Sequence, residues 1–523
     1  MELLLAKALM IQGTGSGAGK SLITAALCRI FKNEGIKVAP FKAQNMALNS
    51  YITAEGAEIG RAQALQAEAA GIEPAADMNP VLLKASGEMG SQVIVHGKVH
   101  STMKAQEYYA FKKTAWAAVK ESFDRLSLRH DLIIMEGAGS PAEINLMDVD
   151  IVNMSAAKYA KAPVILVGDI DKGGVFASIY GTVKLLGRSS RHIKGFVINK
   201  FRGDAEILKP GLDMIRDKTG KPVIGVLPYI KEIGLPEEDG LFFERFKQIK
   251  PFERFKQIKI VIVRLQYIAN FTDFDPFSYE PDVELIYSSN PSDIENADIV
   301  IIPGSKNTVK DLILLKENRL DESIKQAYSK GIRVIGMCGG YQMLGKKIYD
   351  PHCVESRHKE IDGIGLLNIE TAFDKTKVTS QVEAEIVDGS WLMVHSDKNY
   401  ELSAMSYQPL KGYEIHMGQS MGDIGLFRIN RLIELNSLNR LNGSTLFMDG
   451  SMNGNCWGTY IHGIFDNDAF RREIIDQARK TKGLDTMNSI TSYSDIKDKA
   501  IESLASIVKE NIDMDFIKRI IGL

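Results

Sequence analysis

Gly13-Thr14-Gly15-Ser16-Gly17-Ala18-Gly19-Lys20-Ser21 follows the apolar run Ala8-Leu9-Met10-Ile11-Gln12 and precedes Leu22-Ile23-Thr24-Ala25-Ala26-Leu27. A strand, a glycine-rich loop ending in Lys-Ser and a helix, in that order, make a phosphate cradle. Backbone N–H groups wrap phosphates, Lys20 reaches the terminal ones, and the Ser21 hydroxyl binds Mg²⁺. The spacing departs from the common G-x-x-x-x-G-K-[ST] pattern: Thr14 stands where glycine would, and Gly13 lies one place earlier. All nine loop residues are expected to touch a nucleotide.

Outward from the loop, residues 8 to about 230 alternate between strand-like and helix-like segments. Residues 38–41, 132–135, 164–167, 195–198 and 223–226 are short, continuous and apolar, as strands buried on both faces of a parallel sheet should be. Polar residues cluster just after them: Lys42 and Asn45, Glu136, Asp169 and Asp171, Asn199. Ligands of doubly wound sheets lie outside the carboxyl ends of the strands, so these residues are expected to share one site.

The pattern breaks at about 237–259, where Phe243-Glu244-Arg245-Phe246-Lys247-Gln248-Ile249-Lys250 repeats as Phe252-Glu253-Arg254-Phe255-Lys256-Gln257-Ile258-Lys259. Two copies are too few for a solenoid and mark a domain junction, read as a duplicated linker. The alternative is that Phe243, Phe246, Phe252 and Phe255 pack as a real element between the domains. A second α/β series follows, with strands expected at 260–263, 299–302 and 334–337. The last runs into Gly336-Met337-Cys338-Gly339-Gly340, a G-x-C-x-G nucleophile elbow that holds a thiol at the top of a sheet. Far downstream, Gly458-Thr459-Tyr460-Ile461-His462-Gly463 offers a histidine. An elbow cysteine with a distant histidine is the arrangement for acyl transfer through a thioester. After about residue 480, Ile496, Ala500, Ile501, Leu504, Ile507 and Val508 recur at helical spacing, as one apolar face docked on the body. The expected fold is α/β: two doubly wound, mostly parallel sheet domains at 1–236 and 260–480, a linker at 237–259, and a helical tail at 481–523.

At 523 residues the chain is too long for one core. A formal net charge of -2 argues against a nucleic-acid binder. No apolar run approaches the roughly 18 residues of a membrane span. Met1-Glu2-Leu3-Leu4-Leu5-Ala6-Lys7 has no basic leader, and four cysteines are too few for a disulfide framework. A cytoplasmic, reducing setting and small-molecule partners are expected. His352, Cys353 and His358 lack a fourth metal ligand and read as a solvated loop. The oligomeric state is not legible.

The motifs together resemble the cobyric acid synthase family over essentially the whole length. The matches begin with Gly13 to Ser21, Pro40-Phe41-Lys42-Ala43-Gln44-Asn45-Met46 and Gly56-Ala57-Glu58-Ile59-Gly60-Arg61-Ala62-Gln63. They continue through Glu136-Gly137-Ala138-Gly139-Ser140-Pro141-Ala142-Glu143-Ile144-Asn145-Leu146, Asp169-Ile170-Asp171-Lys172-Gly173-Gly174 and Pro303-Gly304-Ser305-Lys306-Asn307-Thr308. Cys338-Gly339-Gly340-Tyr341-Gln342, Tyr413-Glu414-Ile415-His416-Met417-Gly418 and the His462 segment close the set. The loop spacing is similar to that of dethiobiotin synthetases. Cobyrinic acid a,c-diamide synthase shares the architecture, but the Lys42-to-Asn45 and Glu136-to-Leu146 segments favour the first family. CTP synthase shares the domain order but has glutamate two places after the histidine, where Ile464 stands here.

The resemblance implies an ATP-dependent amidoligase domain followed by a class I glutamine amidotransferase domain. The implied substrate is adenosylcobyrinic acid a,c-diamide, amidated at its b, d, e and g carboxylates with one glutamine and one ATP each. Cys338 and His462 would be catalytic, with the oxyanion held by Gly339 and by Gly304 or Ser305. Ser21 and Glu136 would hold Mg²⁺, with Glu58 as a third candidate, and Asn199 would contact adenine. Ile464 leaves open what orients His462. Glu414 and His416 are read either as lining the ammonia route or as structural. A switching nucleotide binder on the same loop would leave Cys338 without a role, and the intact Lys20-Ser21 pair argues against a stand-alone glutaminase.

Overall fold

Six apolar runs in the first half form one parallel sheet in the computed structural model, which describes residues 6–85, 90–230, 235, 257–387, 409–432, 446–487 and 490–523. The strand order is Val223–Pro228, Ile193–Phe201, Val164–Asp169, Lys7–Gly13, Leu132–Glu136 and Val38–Phe41. Every neighbouring pair is parallel. The central strand Lys7–Gly13 is buried along six of its seven residues. Such a strand has no wet face, which is why its sequence does not alternate. Two apolar cores, one on each side, hold the sheet: Met10, Phe41 and Ile198 belong to one, Leu9, Ile11 and Ile134 to the other.

The C-terminal helices Tyr493–Asn511 and Met514–Ile521 return to this first sheet. Ile501, Leu504, Val508 and Ile517 are buried in the same core as Leu9, Ile30 and Phe31. Arg29 on Lys20–Asn33 donates to Asp498 at 2.8 Å across the seam. Burying each of these aliphatic side chains is worth roughly 1.5–3 kcal/mol, enough to fasten the tail. Ile496, Ala500 and Ile507, on the flank of the same stripe, are half-buried.

An insertion carries a second, smaller sheet of order Gln44–Met46, Val81–Ala85, Ser91–Val95 and Lys98–Met103. Gln44–Met46 is too short, and Lys98–Met103 too polar, to stand out in the sequence.

The second half repeats the doubly wound plan with the order Val283–Ser288, Ile258–Val263, Ile299–Ile302, Arg333–Met337, Cys456–Thr459 and Ser451–Asn453. The pairs are parallel except the last. Beside it, Ile369–Ile386 and Leu410–Gly422 pair antiparallel, and the latter pairs with Ile461–His462. The first copy of the duplicated linker, and most of the second, lie outside the described residues. Among the described residues no helix is long and apolar enough to cross a membrane.

Candidate active site

The phosphate loop connects Lys7–Gly13 to Lys20–Asn33. Gly19 has φ 98°, and a side chain there would collide with the Asn199 amide. Only glycine meets both demands. Thr14 N–H donates to the Val167 carbonyl at 2.9 Å, which fixes the loop to the neighbouring strand. Lys20 Nζ donates to the Gly15 carbonyl at 2.9 Å, and Asn199 Nδ2 donates to that of Ala18 at 2.9 Å. Lys200 Nζ bridges the Gly17 carbonyl at 2.7 Å and Asp169 at 2.9 Å. Ser16, Gly17, Gly19, Lys20, Ser21 and Asn199 thus line one cavity of about 860 Å³ with Lys42 and Glu136, and the tail adds Leu504 and Val508 to its wall.

Glu136 ends its strand in register with Ile11, which brings it to the loop. Its Oε1 accepts from Ser21 Oγ at 2.8 Å and Lys42 Nζ at 3.0 Å; its Oε2 accepts from Gln66 Nε2 at 2.6 Å. Burial alone would raise the Glu136 carboxyl, but Lys42, the Gln66 amide and Lys20 outweigh it and hold it below the ordinary range. A hydroxyl and an ionised carboxylate within hydrogen-bond distance of each other form an all-oxygen donor pair, which suits Mg²⁺. Glu58 does not join them. It is ion-paired with Lys84 at 2.8 Å and with Lys377, and its Oε1 accepts from Ser50 Oγ at 2.9 Å. It stands on the short strand before helix Arg61–Ala70, so it faces the second domain while Gln66 of that helix reaches Glu136. Buried lysines, rather than a metal ligand set, account for its charge.

Cys338 sits between Arg333–Met337 and helix Gly339–Leu344 with φ 49° and ψ −107°. A non-glycine residue persists there only where its surroundings over-determine it. The turn is held by the Cys338 N–H, which donates to the Thr459 carbonyl at 2.9 Å. Gly340 packs so closely on the Ile302 carbonyl that any side chain would collide with it. A Cβ placed on Gly304 would lie 3.5 Å from His462 Cε1 and 3.8 Å from Cys338 Cβ. One on Gly339 would lie 2.9 Å from the Ser305 nitrogen, so Gly304, Ser305, Gly339, Cys338 and His462 converge on one point. The Ser305 hydroxyl itself turns away, to the Asp311 carboxylate.

Ile464 is fully buried in the apolar core. Asp273 approaches the histidine instead: its Oδ2 lies 2.6 Å from His462 Nδ1, and its Oδ1 accepts from Gly463 N–H at 3.2 Å. Burial alone would lower the His462 pKa, but Asp273 and, more weakly, Cys338 outweigh it and push it up to about 10. Tyr413 stacks on the imidazole at 5.4 Å. Asp273 rides on the turn Phe271–Phe274, which the first domain grips. Asn49 Oδ1 accepts from Phe271 N–H at 3.1 Å, and Asn270 Oδ1 accepts from Ser50 N–H at 3.0 Å. The sequence offered only the acidic cluster Asp273-Phe274-Asp275 as a signal; 189 residues separate Asp273 from His462.

Of the remaining candidates, His416 lines the thiol cavity and stacks on Tyr460 at 3.8 Å. Glu414 is held by Arg431 at 3.0 Å and His416 at 3.4 Å. His352, Cys353 and His358 lie on a loop that Asp350 organises by accepting from the N–H groups of Val354, Glu355 and Ser356.

Residues 9–241 match the model of the CobQ/CobB/MinD/ParA nucleotide binding domain, and residues 259–470 that of the CobB/CobQ-like glutamine amidotransferase domain. The chain is 50% identical over 519 residues to a cobyric acid synthase of Thermodesulfovibrio yellowstonii, covering 99% of this chain and 100% of that one. It is 46% identical to one of Syntrophobacter fumaroxidans, with 99% of each covered, and 48% identical to one of Clostridium botulinum strain Loch Maree, with 98% and 99% covered. Full-length similarity at this level, with both domains in the same order, leads to one conclusion: the chain belongs to the cobyric acid synthase family, whose members are glutamine-hydrolysing ligases.

Proposed function

We propose that the chain amidates the b, d, e and g carboxylates of adenosylcobyrinic acid a,c-diamide, using ATP and glutamine. A carboxylate does not react with ammonia at neutral pH because hydroxide is a poor leaving group. In the first domain the substrate carboxylate takes the γ-phosphoryl group of ATP, releasing ADP and leaving an acyl phosphate. Ammonia then displaces phosphate and forms the amide. Positioning and charge neutralisation do most of this work. Lys20 and the loop amides from Gly13 to Ser21 hold the phosphates, and Asn199 is assigned the adenine contact. Ser21 and Glu136 are assigned to Mg²⁺, which supplies further neutralisation of phosphate charge when bound.

In the second domain Cys338 Sγ attacks the side-chain amide carbon of glutamine. The oxyanion is assigned to the Gly339 N–H and the Gly304–Ser305 backbone. The C–N bond then breaks, ammonia leaves with a proton from His462, and water hydrolyses the thioester to glutamate. Asp273 is assigned the orienting role: against Nδ1 it aims Nε2 at the reacting atoms and keeps the ring protonated. The observation that carries the reading is the presence in one molecule of a Ser21–Glu136 pair under a phosphate loop and a strained Cys338 beside a carboxylate-held histidine. Incubation with ATP, Mg²⁺, glutamine and the a,c-diamide tests it by mass spectrometry. Four successive carboxylate-to-amide mass changes are expected. Amidation of unamidated cobyrinic acid alone would instead identify an a,c-diamide synthase, and ATP hydrolysis with no amidation a switching ATPase.

A further inference from the structure

The thiol cavity, of about 100 Å³, is not closed by the second domain alone. Lys84 and Gln92 of the inserted sheet line it together with Cys338, Lys306, Glu355 and Lys377. Gln92 is 4% exposed, and its amide oxygen accepts from Lys306 Nζ at 3.2 Å and Lys377 Nζ at 3.3 Å. Two ammonium groups of one domain therefore converge on a neutral oxygen supplied by the other. Glu58, the anion beside this group, is already shared by Lys84 and Lys377. Lys306 follows Gly304-Ser305 directly, so the chain that surrounds the reacting amide also delivers this ammonium group. Glu355 faces the same cavity, with its Oε2 accepting from Thr308 N–H at 2.7 Å.

Glutamine brings to such a cavity an amide at one end and, at the other, an α-carboxylate and an α-ammonium group. Neither charge enters a buried site cheaply without an opposite partner. Three lysines, Lys84, Lys306 and Lys377, face two carboxylates, Glu58 and Glu355. Where Lys306 and Lys377 meet they share only the neutral Gln92 oxygen, so a substrate carboxylate arriving there offsets the remaining positive charge.

We propose that glutamine's α-carboxylate is bound by Lys306 and Lys377 where they converge on Gln92, and its α-ammonium by Glu355, so that the first domain completes the glutaminase pocket. This inference rests on the thiol reading above. Gln92 acts as a positioning residue that holds both ammonium groups in place. The site selects an L-α-amino acid bearing a γ-amide, and the inserted sheet ties that selection to the presence of the synthetase domain.

The test compares glutamine with 4-aminobutanamide, which is glutamine without its α-carboxylate, in the full-length chain and its Lys306→Met and Gln92→Leu variants. Ammonia release reports the reaction, and amidation with added ammonia reports folding. The wild type is expected to prefer glutamine strongly in kcat/KM. Lys306→Met should lose about 10- to 100-fold on glutamine, the worth of a charge-assisted hydrogen bond, and little on the analogue. Its preference then collapses. Gln92→Leu should act in the same direction, mainly through KM. Equal losses on both substrates, or none on glutamine, would overturn the assignment. A wild type that hydrolyses both amides equally well overturns it alone, whereas a wild type that hydrolyses neither overturns the thiol reading with it.

Discussion

The two candidate sites of this molecule are built in opposite ways. The phosphate site draws on a nine-residue loop and on side chains at the ends of strands in one sheet, with Glu136 arriving in register beside Ile11. The thiol site gathers Cys338, His462 and Asp273 from three separate segments, and first-domain residues Asn49 and Ser50 fasten the turn beside Asp273. A phosphate needs many backbone N–H groups on one curved stretch, which a short loop supplies. A thioester reaction needs a few side chains in fixed mutual geometry, which distant segments can share. One consequence is that the second site depends on how the domains meet.

Cys338→Ala separates the sites most sharply. Glutamine-dependent amidation should fall by about 10⁴-fold or more, as removal of a nucleophile does, while ammonia-dependent amidation persists. Near-normal glutamine use by this variant would remove the elbow from the mechanism.

Asp273→Asn should lower the glutamine-dependent rate by about 10²- to 10⁴-fold, again with ammonia use retained. Its pH profile adds an independent readout. Because His462 is held up to about 10, the imidazolium persists through neutral pH and is lost only as pH rises through that value. Without the Asp273 carboxylate, the alkaline limb of the glutaminase profile should move toward neutrality. A limb that stays in place would show that Asp273 does not hold the proton. The same sign applies to stability: the contribution of this pair is fully present below the unfolded histidine pKa, about 6.5, and fades as pH rises toward 10.

Lys20→Ala tests the other side of the comparison. Amidation should fall by about 10²- to 10³-fold with glutamine and ammonia alike, because in the proposed route both nitrogen sources attack the same acyl phosphate. Retained ammonia-dependent activity would place the ATP site elsewhere.

The smallest effect is expected at the seam of the tail. Ile501 is fully buried against the first domain, so Ile501→Ala should cost about 2–5 kcal/mol in thermal or denaturant unfolding. An unchanged midpoint would mean that the tail is not part of that core.

The main strands were legible because their burial on both faces leaves continuous apolar runs such as 132–135 and 299–302. The inserted sheet at residues 44–103 was not, because segments such as Lys98–Met103 carry no apolar run of their own. Glu58 shows the same limit. Its place in a family motif singled it out, but nothing in the sequence showed that two lysines, one of them 319 residues away, would enclose it.

By itself, the sequence determined the phosphate loop, the elbow, the parallel strands and the helical tail, since each depends on interactions within a short stretch or on uniform burial. The tertiary structure alone decided that Asp273 rather than residue 464 meets His462, that Glu58 turns from the phosphate site to the domain interface, and that Lys84 and Gln92 enter the thiol cavity. These are contacts between residues far apart in the chain. Their geometry is set by the packing of whole sheets and domains, which no local pattern encodes.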